Sequence, residues 1–182
     1  IAAAGIAEVT KFISAEAALT MACVIGNPIG SDGAKLLIEV FDSHPKLQSL
    51  CGISPGSTTV DLSNSNMGPA DCLILTHELQ AGRATAAVKK INLSGCPLTG
   101  AKKRGRNWYE IDSDMTGFIA LCGVLGKLHE INLSDCHLGP ASAGEFAKAV
   151  SSADAAVNSL TVDSTGDTQD QYGNWNNGGP KT

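Results

Sequence analysis

Six cysteines and four histidines have the widest chemistry open to them in this chain. Cys96 and Cys136 sit in the same local pattern, I-N-L-S-x-C-x-L, and His137 follows the second of them. A matched pair of thiols beside an imidazole could bind a metal or exchange electrons. Zinc would need two further ligands at short spacing, and no C-x-x-C is present. The plainer reading is stronger: free cysteine behaves as a small, readily buried hydrophobe. His44, His77, His129 and His137 are scattered and form no H-E-x-x-H or triad-like set. His129 stands beside Glu130, where a solvated pair is expected rather than a catalytic dyad. No G-x-S-x-G, P-loop or G-x-G-x-x-G occurs, so three common enzyme classes lack their signature. The expectation is a protein without catalysis, cofactor or metal.

The other chemically suggestive run is Lys102, Lys103, Arg104, Arg106, Trp108 and Tyr109. Cations with aromatic area are enriched at protein interfaces. Basic residues with interleaved aromatics also suit single-stranded nucleic acid. Against both stands a simple solvated loop, with Trp108 plugging its edge.

The elements that position these residues follow from an internal repeat. Residues 88–98 align without gaps with 128–138, sharing I-N-L-S-x-C-x-L, and 60–70 form a third copy with Ser65 in the cysteine position. Weaker copies begin at Leu19, with Asn27 in the cysteine position, and at Val157. Behind the copies come helical periods: Ala34, Leu37, Ile38 and Phe41; Cys72, Leu75, Thr76 and Leu79; Phe118, Leu121, Cys122 and Leu125; Ala143, Phe146, Ala147 and Val150. Ser31 and Ser113 are expected N-caps, and Pro69 and Pro140 fit a first helical turn. Strand and helix periods therefore alternate.

These segments resemble the leucine-rich-repeat pattern L-x-x-L-x-L-x-x-N/C-x-L, and the period with a following helix is similar to the ribonuclease-inhibitor subtype. The resemblance covers roughly residues 1 to 165. It implies an α/β solenoid, a horseshoe with short parallel strands on its concave face and helices on its convex face, built from about five partial or full repeats. It also implies that Cys96 and Cys136 occupy the interior turn position, satisfying backbone groups there.

Two irregularities interrupt the array. The spacing from Ile91 to Ile131 is 40 residues, against 31 from Val60 to Ile91 and 29 from Ile131 to Leu160. This places an insertion at about 101–112. Between Ala22 and Val60, Leu47 to Ile53 reads as another strand with too little chain before Val60 to house a helix. It is either a helix-less repeat or an irregular crossover turning at Ser54-Pro55-Gly56. Ile6, Val9 and Ile13 at helical spacing offer an N-terminal cap. Otherwise the ends look uncapped, which suggests a fragment of a longer array or self-association. Residues 166–182 are polar and rich in Gly and Asn, and are expected to be poorly ordered or a truncated further repeat. Tyr172 to Asn176 echoes Asn107-Trp108.

Composition limits the partners. With 43% hydrophobic and 4% aromatic residues in 182, the core must be layered from small aliphatic side chains. A net charge of -5, from 13 basic and 18 acidic residues, argues against a nucleic-acid surface. The longest apolar runs, such as Phe118 to Leu125, are far short of a membrane span, and no charged-then-apolar segment opens the chain. Scattered cysteines point to reduced thiols and a cytoplasmic setting. Strand alternation assigns two outward rows: Met21, Thr59, Lys90, Glu130, Ser159, then Cys23, Asp61, Asn92, Asn132, Thr161. The expected partner is an unidentified protein. The candidate contacts are Lys90, Asn92, Glu130 and Asn132 on the sheet, with Arg104, Arg106, Trp108 and Tyr109 on the insertion.

Overall fold

The computed structural model describes residues 3–104, 107–152, 154–162, 168–169 and 175–176. Among them are five helices and a four-stranded parallel sheet, a mixed α/β arrangement. The helices are α1 (Ala3–Ala15), α2 (Gly30–Ser43), α3 (Pro69–Ala81), α4 (Thr116–Leu125) and α5 (Pro140–Val150). The sheet contains β1 (Thr59–Asp61), β2 (Lys90–Asn92), β5 (Glu130–Asn132) and β6 (Ser159–Thr161), in that spatial order. Between β2 and β5 the chain forms an antiparallel pair, β3 (Lys102–Arg104) with β4 (Asn107–Tyr109). A second antiparallel pair joins β7 (Thr168–Gln169) to β8 (Trp175–Asn176), and β8 lies next to β4.

The sheet register follows the sequence repeat. Val60, Ile91, Ile131 and Leu160 are successive partners, flanked by Thr59, Lys90, Glu130, Ser159 and by Asp61, Asn92, Asn132, Thr161. Both outward rows are therefore contiguous from β1 to β6. The hydrogen-bond ladder extends beyond the strands at both ends. The amides of Lys89 and Lys90 both donate to Thr58 O, those of His129 and Glu130 to Lys89 O, and those of Asn158 and Ser159 to His129 O. At the other end Leu62 and Asn64 donate to Asn92 O and Ser94 O, while Leu93 and Gly95 donate to Asn132 O and Ser134 O. Each short strand is thus held along its turns as well, which three residues alone could not achieve.

The same local chemistry ends β1, β2 and β5. The side chains of Asp61, Asn92 and Asn132 accept the amides of Ser63, Ser94 and Ser134, two residues on, and turn the chain out of the strand. The next step is left-handed in all three, at Asn64 (φ 53), Gly95 (φ 73) and Asp135 (φ 55). Helices follow. Proline opens α3 and α5, as expected, because its missing N–H is unneeded in a first turn. Helices α2 to α5 pack in sequence order over the sheet, with α1 against α2. Leu37, Phe41, Leu75, Phe118, Leu121, Leu93 and Leu133 are fully buried between the layers.

Three expectations need correction. Ser31 and Ser113 are not N-caps: Ser31 lies inside α2, and Ser113 Oγ donates to Gly100 O while Asp114 accepts Thr116 N at the start of α4. On α5 the inward stripe is Ser142, Phe146, Ala149 and Val150; Ala143 and Ala147 are exposed. Helix periodicity counts apolar residues, and alanine carries too little surface to fix which way a helix faces. Finally, the row placed Thr59 directly after Met21, whereas Met21 bridges Ser49 and Cys23 bridges Cys51. Residues 49–51 form an extra rung after α2, joined to β1 by a loop without a helix in which Ser57 N donates to Ser54 O.

Candidate functional site

The outward sheet face is polar and partly self-satisfied. Lys90 and Glu130 stand opposite one another and form an ion pair at 2.7 Å, both about half exposed. Asn92 and Asn132 have carbonyl oxygens engaged by Ser94 and Ser134, so their first role is to shape the turn. Asp61 does the same, and the Ser63 amide and hydroxyl lower its carboxyl pKa below the ordinary value. Of the four sheet candidates, Lys90 and Glu130 remain the side chains able to meet a partner without undoing a turn.

The insertion is a built structure. β3 and β4 pair in the register Lys102↔Tyr109, Lys103↔Trp108 and Arg104↔Asn107. Trp108 stacks on His137, ring centroids 3.6 Å apart at 25°, which fastens the hairpin over the next repeat's turn. Lys103 Nζ approaches the same indole at 5.6 Å, and Lys102 pairs with Glu110 at 2.5 Å. Lys102, Lys103 and Arg104 are exposed and Tyr109 is half-buried. Arg106 lies outside the described residues, as does most of the 166–182 tail. β8 carries Trp175, where sequence spacing places the counterpart of Trp108, in a second antiparallel pair.

The thiols are placed for structure. At the turn position Asn27 Nδ2 donates to Val24 O (2.9 Å), Ser65 Oγ to Leu62 O (2.6 Å), Cys96 Sγ to Leu62 O (3.3 Å) and Cys136 Sγ to Leu93 O (3.2 Å). Three residue types at one position thus share one task, donating to a backbone carbonyl, Asn27 and Ser65 within their own turn and the two cysteines across to the preceding copy. Burial pushes the Cys136 and Cys122 thiols up to about 12, and those of Cys51 and Cys72 well above the ordinary value. Such thiols stay protonated at neutral pH and make poor nucleophiles or metal ligands. Among the described residues no group of three His, Cys, Asp or Glu side chains is placed to hold a metal.

Several working residues gave no sequence signal. Glu78 reaches from α3 to the extra rung, accepting the amides of Leu50 and Cys51 and the hydroxyl of Ser49. Its burial raises its pKa. Asp71 accepts the amides of Gly68 and Gly26, joining two turns, and burial pushes it up to about 6. Asp71 borders an open hollow of about 390 Å³ that Asn27, Asn66 and Asp114 also line. Its carboxylate is already engaged by backbone there. Asp112, with φ 57, accepts the amides of Gly139, Ala141 and Ser142 and caps α5 from within the insertion. Arg83 donates to Phe41 O and Leu47 O and lies 4.3 Å over the Phe41 ring. His44 accepts the amides of Lys46 and Leu47 at Nδ1, which leaves Nε2–H to donate to Glu16 O. Apart from the local bonds of Asp71 with Gly68 and of His44 with Lys46 and Leu47, these are long-range pairings of polar groups, and no spacing rule announces them.

No helix among the described residues is long and apolar enough to cross a membrane. The chain matches no protein-family model and no curated protein.

Proposed function

We propose that the chain is a leucine-rich-repeat array of the ribonuclease-inhibitor-like subtype, a solenoid with its strands on a concave face and its helices on a convex one. The observation that carries this reading is the in-register ladder Val60, Ile91, Ile131, Leu160, with one turn chemistry repeated in three successive units. Units that bury their apolar faces only against neighbours stack into such curved arrays.

Its function in this reading is non-catalytic: a scaffold that binds a protein partner through the outward sheet face and the β3–β4 hairpin. Support comes from the use of its reactive groups, since the buried carboxylates and the turn thiols serve backbone donors and acceptors. Contiguous polar rows beside a basic hairpin offer area and charge without reactive chemistry. Cysteines that stay free and mostly buried fit a reducing, cytoplasmic setting. The test is affinity capture with the wild-type chain and with Thr59→Arg combined with Ser159→Arg, which place bulk at both ends of one exposed row. A stoichiometric protein partner lost on the double change supports the reading; a partner unaffected by it and by hairpin changes overturns it.

A second reading is self-association. Leu160, the register partner of buried Ile131, is 43% exposed and Val162 39% exposed, at the edge of the sheet. Open, apolar strand edges invite pairing with another chain. A mass measurement in solution separates the two: a monomer at all concentrations removes this reading.

A further inference from the structure

We propose that the free edge of β3 takes up an acidic, extended polypeptide segment as an added strand. This deepens the protein-binding reading, on which it rests, by naming the partner's chemistry.

Three observations lead there. First, the edge is available: β3 pairs with β4, β8 lies beside β4, and no strand pairs with the other side of β3 among the described residues. A half-paired strand presents a row of N–H and C=O groups to the next chain. Second, the edge is basic. Lys102, Lys103 and Arg104 are all exposed, on a chain whose net charge is -5. Of the nearby acids, Glu110 pairs with Lys102 on the edge itself, Asp112 holds the amides of Gly139, Ala141 and Ser142, and Asp114 that of Thr116, so the open charge of the edge is that of Lys103 and Arg104. Lys103 and Arg104 have no carboxylate partner among the described residues. Third, the edge is held in place. Trp108 stacked on His137 and Asp112 bound to α5 fasten the hairpin at two points, so docking requires little ordering.

Lysine on an edge strand normally repels other strands. Here that repulsion is a filter: a neutral or basic segment, or the β3 edge of a second copy, is turned away, and an acidic segment is drawn in. Nucleic acid shares the charge but suits the site less well. Single strands bind by stacking bases on open aromatic faces, and one face of Trp108 is covered by His137 while Tyr109 is half-buried.

The probe is a short blocked peptide alternating glutamate and valine, titrated calorimetrically into the whole chain, with amide exchange followed over β3. Binding is expected to protect amides in Lys102–Arg104, to weaken with salt, and to fall at least about tenfold in Lys103→Glu/Arg104→Glu. The exposed charge-keeping pair Lys103→Arg/Arg104→Lys should retain it. The same peptide N-methylated at alternate residues keeps its charge and loses its pairing donors, so it should bind at least about tenfold more weakly. Equal binding of the methylated peptide overturns strand addition, as does binding without protection of β3. Tighter binding of an oligothymidylate of matched charge, or no binding of the peptide, also overturns the proposal. A natural partner that survives Lys103→Glu/Arg104→Glu but is lost on Thr59→Arg/Ser159→Arg overturns this inference and leaves the scaffold reading standing.

Discussion

Asp112 and Glu78 perform one task in two places: each supplies a carboxylate to backbone amides that the repeat itself leaves without acceptors. Asp112 does so for the first turn of α5, which has no side-chain cap at Gly139. Asp112→Ala should therefore cost about 1–2 kcal/mol in denaturant unfolding, and the loss should show as faster amide exchange at 141–142. Glu78 does so for the extra rung, where β1 has separated from residues 49–51. The buried carboxylates also set a pH dependence. Asp71 titrates near 6 in the folded chain against an ordinary 3.8, so the folded state holds the extra proton between those values. Its contribution is full below pH about 4 and is lost as pH rises through about 6. Burial shifts Glu78 in the same direction. The wild-type stability minus that of Asp71→Asn should then fall between pH 4 and 7, by up to about 3 kcal/mol at ~1.4 kcal/mol per unit. A difference that is constant, or that rises, across that range contradicts the assignment.

At the scale of elements, close helix packing and the anchored hairpin carry separate predictions. Gly117 opens α4 against the start of α3, and a Cβ there would collide with the carbonyl of Pro69. Both atoms belong to rigid backbone. Gly117→Ala should cost about 3 kcal/mol or more, read as a lower denaturant midpoint with an unchanged slope. Gly95 combines φ 73 with Asn64 Oδ1 where a Cβ would stand, so a larger residue there must displace the Asn64 side chain, although Asn64 and Asp135 hold the same left-handed step without glycine. The hairpin is different. Besides the anchor at Asp112, it is fastened to the body through Trp108 on His137, so Trp108→Ala should speed exchange at residues 102–109 while costing only about 1 kcal/mol globally.

For the whole molecule, equivalent positions are not energetically equal. Ile91 and Ile131 have a rung on each side and are 2% exposed, whereas Leu160 on β6 has one neighbouring rung among the described strands and is 43% exposed. Ile91→Ala and Ile131→Ala should each cost about 2–4 kcal/mol, and Leu160→Ala under about 1 kcal/mol, by equilibrium unfolding. Equal losses at all three would mean that the open edge is covered in solution. In a stack each unit's interior is dry only when both neighbours are present.

The repeated units were legible in the residues alone because strand, turn and helix each depend on groups close in sequence. I-N-L-S-x-C-x-L states the buried residue, the turn acceptor and the turn donor within eight positions, and the sheet register followed it residue for residue. Where the spacing widens, at 101–112, lies the antiparallel pair β3–β4, and within Leu47 to Ile53 residues 49 and 51 make strand-like bridges. What only the tertiary structure decided is the side-chain contacts made across repeats by residues outside the strand rows: Glu78 on residues 49–51, Asp112 on α5, Trp108 on His137. Those contacts join groups 27 or more residues apart in the chain, as with Glu78 and Cys51. Their partners are selected by what packing brings within hydrogen-bond reach, and local sequence carries no record of that distance.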